Sequence, residues 1–386
     1  MILAVRRGQP MRAVARRFGV GLSHLQFWLL RARGRRLDRV VWTDRRAGPR
    51  SPANRIAPGV ERAILAARRA LALSALGECG AAAIRARLLA PGARKRAVPS
   101  LRTIGRVLVR GGLLDSRLRV RRPPPPRGWY LRALAARRAE LDSFDVVEGL
   151  LIKGGPHVEV LNAMSLHGCL PASWPQGRSF LTDHVLACLC ARWQAHGLPG
   201  FAQFDNDTLF QGPHQHPDAV GRVIRLCLAL GVTPVFAPPR ETGFQAQIES
   251  YNARWQARVW HRFQHRHLAA LAGRSAAFVA ALASKHAAKI AAAPARRPWP
   301  AGFVFEPSAP LRGQLIFLRR CDDSGHVSLL ARSWLVSKDW PHRLVRAELD
   351  FDRCRLRFYA LRRRAPSSHP LLASCPYAPL ASPHSK

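Results

Sequence analysis

Phe201-Ala202-Gln203-Phe204-Asp205-Asn206-Asp207-Thr208-Leu209-Phe210 is the stretch on which the fold turns. A short apolar strand, residues 201–204, runs straight into acids. Residues 219–230 follow with Val220, Val223, Ile224, Cys227 and Leu228 on one helical face. Val232 to Phe236 is a second short strand, closed by Pro238-Pro239. Upstream, Leu141 to Val147 and Val158 to Met164 read as strands on either side of a Gly154-Gly155 turn, and residues 183–196 as a helix. Downstream, residues 245–263 read as a long helix carrying Glu249, Trp255 and Trp260. Strands first, then alternating helix and strand, predict an α/β core over residues 131–295.

Three carboxylates fall on these elements. Asp142 lies on the first strand, Asp205 at the end of the short strand and Glu249 near the start of the long helix. An acid at an apolar strand end is costly to desolvate unless something offsets its charge. A divalent cation does so, and oxygen-only ligands suit Mg²⁺ or Mn²⁺. A pair of such ions serves phosphodiester cleavage and joining. Each acid also has an ordinary reading: an edge-strand surface residue, an Asx turn, a favourable charge at a helix start. Asp145 stands three residues from Asp142. Odd spacing puts the two on opposite faces of a regular strand, so only one of them can face a metal.

The flanks have different textures. Residues 1–48 hold a helix-turn-helix pattern: Met11 to Phe18, a turn at Gly19, then Leu22 to Leu30. Val14, Ala15, Phe18, Val20, Leu25 and Trp28 are its packing positions, and Ser23, His24 and Gln26 would face a DNA major groove. Residues 49–122 hold a second helical unit, with helices over 60–76, 79–89 and 100–110. Ser100 is its N-cap candidate, Gly111-Gly112 its stop, and Arg102, Thr103 and Arg106 are its outward side chains. Residues 123–130, opening on four prolines, read as a stiff linker. Residues 296–386 hold short strands separated by turns and predict a small β-barrel. Arg355, Arg357 and Arg362-Arg363-Arg364 would form a basic face on it.

The 386 residues carry 62 Lys and Arg against 23 Asp and Glu, a net charge of +39. Residues 1–140 alone carry 33 basic and 6 acidic side chains. A hydrophobic content of 48% excludes a disordered basic tail and leaves a folded chain whose natural partner is a polyanion, nucleic acid first. No run of about 18 uninterrupted apolar residues predicts a membrane span. The eight cysteines contain no CxxC pair, which predicts reduced thiols and a cytoplasmic location. His214 and His216, and His261, His265 and His267, lack a third ligand or a base, and read as polar groups near DNA. Trp255 and Trp260 read as core or dimer contacts.

In order and content these segments resemble the insertion-sequence transposases of the integrase-core family. Residues 12–20 resemble the family's first helix-turn-helix and residues 100–108 its second. Leu141-Asp142-Ser143 resembles the first catalytic strand, residues 204–210 the Asp-Asn-Gly-x-x-Phe segment, and Gln247-Ile248-Glu249-Ser250-Tyr251-Asn252 the helix of the third acid. The resemblance implies an RNase H-like fold, a DDE triad of Asp142, Asp205 and Glu249, and Mg²⁺- or Mn²⁺-dependent strand transfer. It also implies a homo-multimer on double-stranded DNA, holding transposon ends and target at the bacterial nucleoid. Four positions depart from the family pattern: Asp207 replaces a glycine, Gln245-Ala246 an Asn-Gly, and Ser165 an aspartate. The alternative is a catalytically inactive, transposase-derived DNA-binding protein or repressor.

Overall fold

The computed structural model describes residues 1–44, 56–90, 98–114, 126–213, 217–241 and 243–378. The chain divides into two compact units, residues 1–59 and 60–386. Most of the proline run, Arg117, Arg119, Arg121 and Arg122, and His214 and His216, lie outside the described residues.

The first unit contains α1 (Ile2–Arg6), α2 (Met11–Arg17) and α3 (Leu22–Ala32). Val14, Ala15 and Leu25 pack where α2 and α3 cross, and Gly19 takes a φ of +62° in the turn between them. That conformation is cheap for glycine and costly for most other residues. Phe18, expected to pack, is 46% exposed and lies beneath the Arg17 guanidinium. Trp28 is buried with Ile2, Ala32 and Val40.

The second unit opens with α4 (Pro58–Ala72), α5 (Ala81–Leu89) and α6 (Leu101–Arg110). Ser100 caps α6 by accepting the Thr103 N–H at 3.3 Å. Gly112, at φ +65°, ends it as the Leu113 N–H turns back to the Leu108 carbonyl. The loop after α4 docks on the core: Arg262 donates to the Ser74 carbonyl at 2.6 Å, and Glu78 pairs with Lys285 and with Arg254. After the short α7 (Arg132–Ala135) come β1 (Leu141–Leu151), β2 (His157–Ser165), β3 (Pro171–Gln176), α8 (Thr182–His196), β4 (Phe201–Phe204), α9 (Thr208–Gln211), α10 (Arg222–Ala229) and β5 (Thr233–Phe236). Next are α11 (Ala246–Trp255), which continues as a π-helical turn to Trp260, α12 (Leu268–Lys285) and α13 (Ala287–Ala291). The chain closes with β6 (Gln314–Arg320), β7 (His326–Leu329), β8 (Arg332–Leu335), β9 (Leu344–Asp350), β10 (Arg355–Ala360) and β11 (Leu371–Pro376).

Nine strands form one sheet in the order β11-β10-β9-β6-β5-β4-β1-β2-β3. β1, β2 and β3 are antiparallel; β4 joins β1 in parallel, and β5 joins β4 in parallel. The edge strand β3 contains Pro171 and Pro175, residues an edge tolerates because a missing donor need not break a ladder. On one face, Val185, Leu189 and Trp193 of α8 and Val223, Ile224 and Cys227 of α10 pack on Phe144, Phe204, Phe236 and Phe317. On the other, Ile248, Tyr251 and Trp255 of α11 and Leu271, Phe278 and Leu282 of α12 cover Val147, Val158 and Val160.

Two expectations are corrected here. Residues 296–386 do not form a separate barrel: β6 pairs in parallel with β5, and β9, β10 and β11 extend the same sheet, with only β7 and β8 forming a hairpin apart. Phenylalanine rings run through the seam, Phe204 to Phe236 at 5.9 Å and Phe236 to Phe317 at 5.3 Å. The end of the expected linker is core, since Trp129 and Tyr130 are each 3% exposed and pack against Phe244. Helix α12 has the length and mean hydropathy, 1.2, to cross a membrane, alone among the described helices. It packs against the core instead, with the Trp255 indole donating to Ser275 at 2.9 Å.

Candidate active site

β1 and β4 run in parallel with Asp142 beside Ala202 and Ser143 beside Gln203, an offset of 60 residues. The Ser143 hydroxyl donates to Gln203 Oε1 at 3.2 Å, and Phe144 stacks on Phe204 at 5.5 Å. Carried past the last paired residues, the same offset brings Asp145, midway along β1, level with Asp205, just beyond the end of β4. Strand parity decides which acid of β1 meets them.

Asp142 faces α8 and is fully buried. Arg192 Nε reaches its Oδ2 at 2.9 Å, Arg296 Nη2 its Oδ1 at 2.6 Å, and the Trp193 indole donates to Oδ2 at 3.2 Å. Burial alone would raise this carboxyl, but the two guanidinium charges outweigh it and hold the group well below the usual carboxylate range. The expectation that Asp142 is the first member of the triad is therefore corrected: it is the centre of a buried ion-pair cluster on the opposite face from the other two acids.

Asp145 faces α11. Asn252 Nδ2 donates to its Oδ2 at 2.6 Å. Asn252 is fixed in turn by Asn162 Nδ2, which donates to Asn252 Oδ1 at 2.8 Å; Ser173 Oγ lies 2.5 Å from Asn162 Oδ1 and 2.7 Å from the Tyr251 hydroxyl. Burial raises Asp145 to about 7, and the charges of Asp205 and Glu249 push the same way. Asp205 is raised as well, by burial and by the charge of Asp207, against the Asp207 N–H that it accepts at 3.1 Å. Asp207 is the N-cap of α9, accepting from Leu209 N–H at 2.7 Å, which gives the aspartate at the family's glycine position a local structural role. Ser165, the other departure, accepts the Leu170 N–H at 2.8 Å and closes the β2–β3 turn.

Asp205 and Glu249 line a cleft of about 500 Å³ with Asn206, Asp207, Pro239 and Gln245 among its walls. Asn206 ties the ends of two parallel strands together through the Ala237 carbonyl at 2.7 Å. It also accepts from Arg319 of β6 at 2.7 Å. Sequence reading missed Arg319, because nothing local places β6 beside β5. Glu241, on the cleft rim, pairs with Arg320 and Arg363.

The oxygen-only donors suit Mg²⁺ or Mn²⁺. The charges of Asp205 and Glu249 add to burial in raising Asp145, with no basic side chain bonded to Asp145 or Asp205 among the described residues, and a cation would relieve that crowding. As the side chains stand, no three acidic, His or Cys groups among the described residues meet as a ready ligand set, so the fit is one of chemistry and placement.

Ser23, His24 and Gln26 are exposed on α3, with His24 accepting the Trp28 indole N–H at 3.1 Å. Arg102 and Arg106 are exposed on α6; Thr103 is half-buried and engaged with Ser100. Arg357, expected on an open basic face, is half-buried and pairs with Asp350 at 3.3 Å, whereas Arg362 and Arg364 are exposed.

No protein-family model matches the chain, and no curated protein matches it. Among solved structures, the catalytic core domain of BIV integrase is similar over 37% of this chain and 81% of its own, at 19% identity and a TM-score of 0.27. A chain of the simian T-cell lymphotropic virus intasome in complex with PP2A regulatory subunit B56 gamma is similar over 72% of this chain and 91% of its own, at 8% identity and a TM-score of 0.34.

Proposed function

We propose that the chain is a DDE-type transposase that binds double-stranded DNA and transfers its strands, with Asp145, Asp205 and Glu249 as the acids. The observation that carries this reading is the pairing of β1 with β4. Extended two residues past its last pair, that register would set Asp145 level with Asp205 under α11, the helix of Glu249, and the Asp205 and Glu249 charges acting on Asp145 support this, while Asp142 is paired with Arg192 and Arg296. Asp145, Asp205 and Glu249 would hold Mg²⁺ or Mn²⁺, which when bound supplies charge stabilisation and nucleophile activation for phosphodiester chemistry. The protein's own part is to orient the carboxylates, Asp145 through Asn252 and Asp205 through the Asp207 backbone. The net charge of +39, most of it before residue 140, supports a polyanionic substrate. The exposed Arg102 and Arg106, and Ser23, His24 and Gln26, are the groups proposed to contact terminal repeats.

The test is strand transfer with purified full-length protein, Mn²⁺ and DNA carrying the element's ends. Asp145→Asn and Glu249→Gln are expected to abolish joining with end binding intact. End binding without any metal-dependent cleavage by the wild type would overturn the catalytic reading and leave a DNA-binding protein.

A further inference from the structure

A second pocket adjoins the acid cleft and shares Asn206 and Pro239 with it. Its volume is about 490 Å³, and its remaining walls include Gln211 of α9, Arg319 and Arg320 of β6, and Leu330 and Ala331 of the β7–β8 turn. That volume falls in the range of about 300–1,000 Å³ typical of small-ligand sites.

Three features of this pocket are unusual for plain structure. Arg319 is 8% exposed, yet among the described residues no carboxylate pairs with it. Its hydrogen bonds go to neutral oxygens, the Ala237 and Leu318 carbonyls at 3.3 and 2.9 Å and Asn206 Oδ1 at 2.7 Å. A buried guanidinium without an acid is costly and calls for an anion. Gln211 is 6% exposed, and its Oε1 has no hydrogen-bond partner. Gln211 lines the pocket, so that unused acceptor lies at its wall. Leu330 and Ala331, both at positive φ, +49° and +57°, form the two-residue loop of the β7–β8 hairpin without the glycine or asparagine such a loop favours, and they give the pocket an apolar wall.

A simple anion would use Arg319 and leave Gln211 idle. A nucleotide uses both: phosphate oxygens for the guanidinium, N–H groups of a base edge for Gln211 Oε1, and a base face for the Leu330-Ala331 and Pro239 walls. We propose that this pocket receives one unpaired nucleotide of the DNA strand whose next phosphate lies in the acid cleft. The inference rests on the proposed DNA substrate, and it assigns Arg319 and Gln211 as substrate-binding residues.

The test is binding in chelator, where no cleavage occurs. Fluorescence anisotropy compares a blunt duplex with the same duplex carrying one unpaired nucleotide at its end. Wild type is expected to prefer the unpaired end by roughly tenfold, the scale of one stacked and hydrogen-bonded base. Gln211→Leu and Arg319→Gln are expected to lose that preference while keeping blunt-duplex affinity, and Arg319→Lys to retain part of it. Circular dichroism melts check that the variants fold; Gln211→Leu, which removes no bond the fold is seen to use at Oε1, decides the matter if Arg319→Gln does not fold. No preference in wild type, or an undiminished preference in Gln211→Leu, would overturn the proposal. Because binding is read without metal, this preference in a protein that fails the separate Mn²⁺ strand-transfer test would sink the catalytic reading alone, and absence of any DNA binding by the wild type would sink both.

Discussion

Asn252 Nδ2 donates a 2.6 Å hydrogen bond to Asp145 Oδ2, from a residue one helical turn beyond Glu249 on α11. One helix thus carries one of the proposed ligands and orients another. The bond favours the ionised form of Asp145, against the burial and neighbouring acids that raise it to about 7.

Asn252→Ala is expected to lower strand transfer by about 10–100-fold, the usual cost of removing a residue that orients a metal ligand. With that donor gone Asp145 rises further, so the acid limb of the pH–rate profile should move to higher pH. An unmoved profile would separate Asn252 from the chemistry.

Asp145 also makes a stability prediction. Its folded pKa of about 7 lies above its ordinary 3.8, so between those values the folded chain binds a proton that the unfolded chain has released. Stability contributed by this group therefore falls as pH rises through that window. In chelator, the melting temperature of wild type relative to Asp145→Asn should fall between pH 5 and 8. Mn²⁺ at pH 8 should raise the wild-type value and leave the variant unchanged. Equal Mn²⁺ shifts in both proteins would remove Asp145 from the ligand set.

Asp142→Asn should behave differently. It leaves Arg192 and Arg296 without their buried counter-charge and should destabilise folding by roughly 3–5 kcal/mol, measured by urea unfolding. A stable variant that has lost only strand transfer would restore Asp142 to the active site.

Binding to end DNA should weaken in Arg102→Ala and Arg106→Ala. Each phosphate contact removed lowers the slope of log affinity against log salt by about one. Ser23, His24 and Gln26 should instead change which sequence is preferred, read by competition among altered ends. Unchanged salt slopes would exclude α6 from the DNA interface.

A fragment ending at residue 295 should fail to melt cooperatively, because it exposes the β5 edge and the Phe236 ring that β6 covers. A sharp thermal transition in residues 126–295 would show that the added strands are dispensable.

Local patterns carried much of this architecture. Helical periodicity and the Ser100 and Gly112 signals located α6 within a residue of its ends, and β4, α10 and β5 stand where apolar runs placed them. Parity showed that Asp142 and Asp145 could not both meet Asp205. Choosing between them required Arg192 and Arg296, 50 and 154 residues away, and no local pattern encodes such partners. The C-terminal strands were visible as strands, yet a barrel and a sheet extension share the same alternation. What separates them is the parallel pairing of β5 with β6 across some 80 residues. Arg319 was hidden for the same reason.

That pairing has a mechanical consequence. A domain on a tether can swing away between one reaction step and the next, but strands of a common sheet cannot part without breaking their ladder. The Arg319–Asn206 bond locks the C-terminal strands to the very loop that bears Asp205. On the proposed reading, DNA touching those strands would be held in fixed register with the acids. Between cutting an end and joining it, the nucleic acid would then have to slide and bend over a stationary frame.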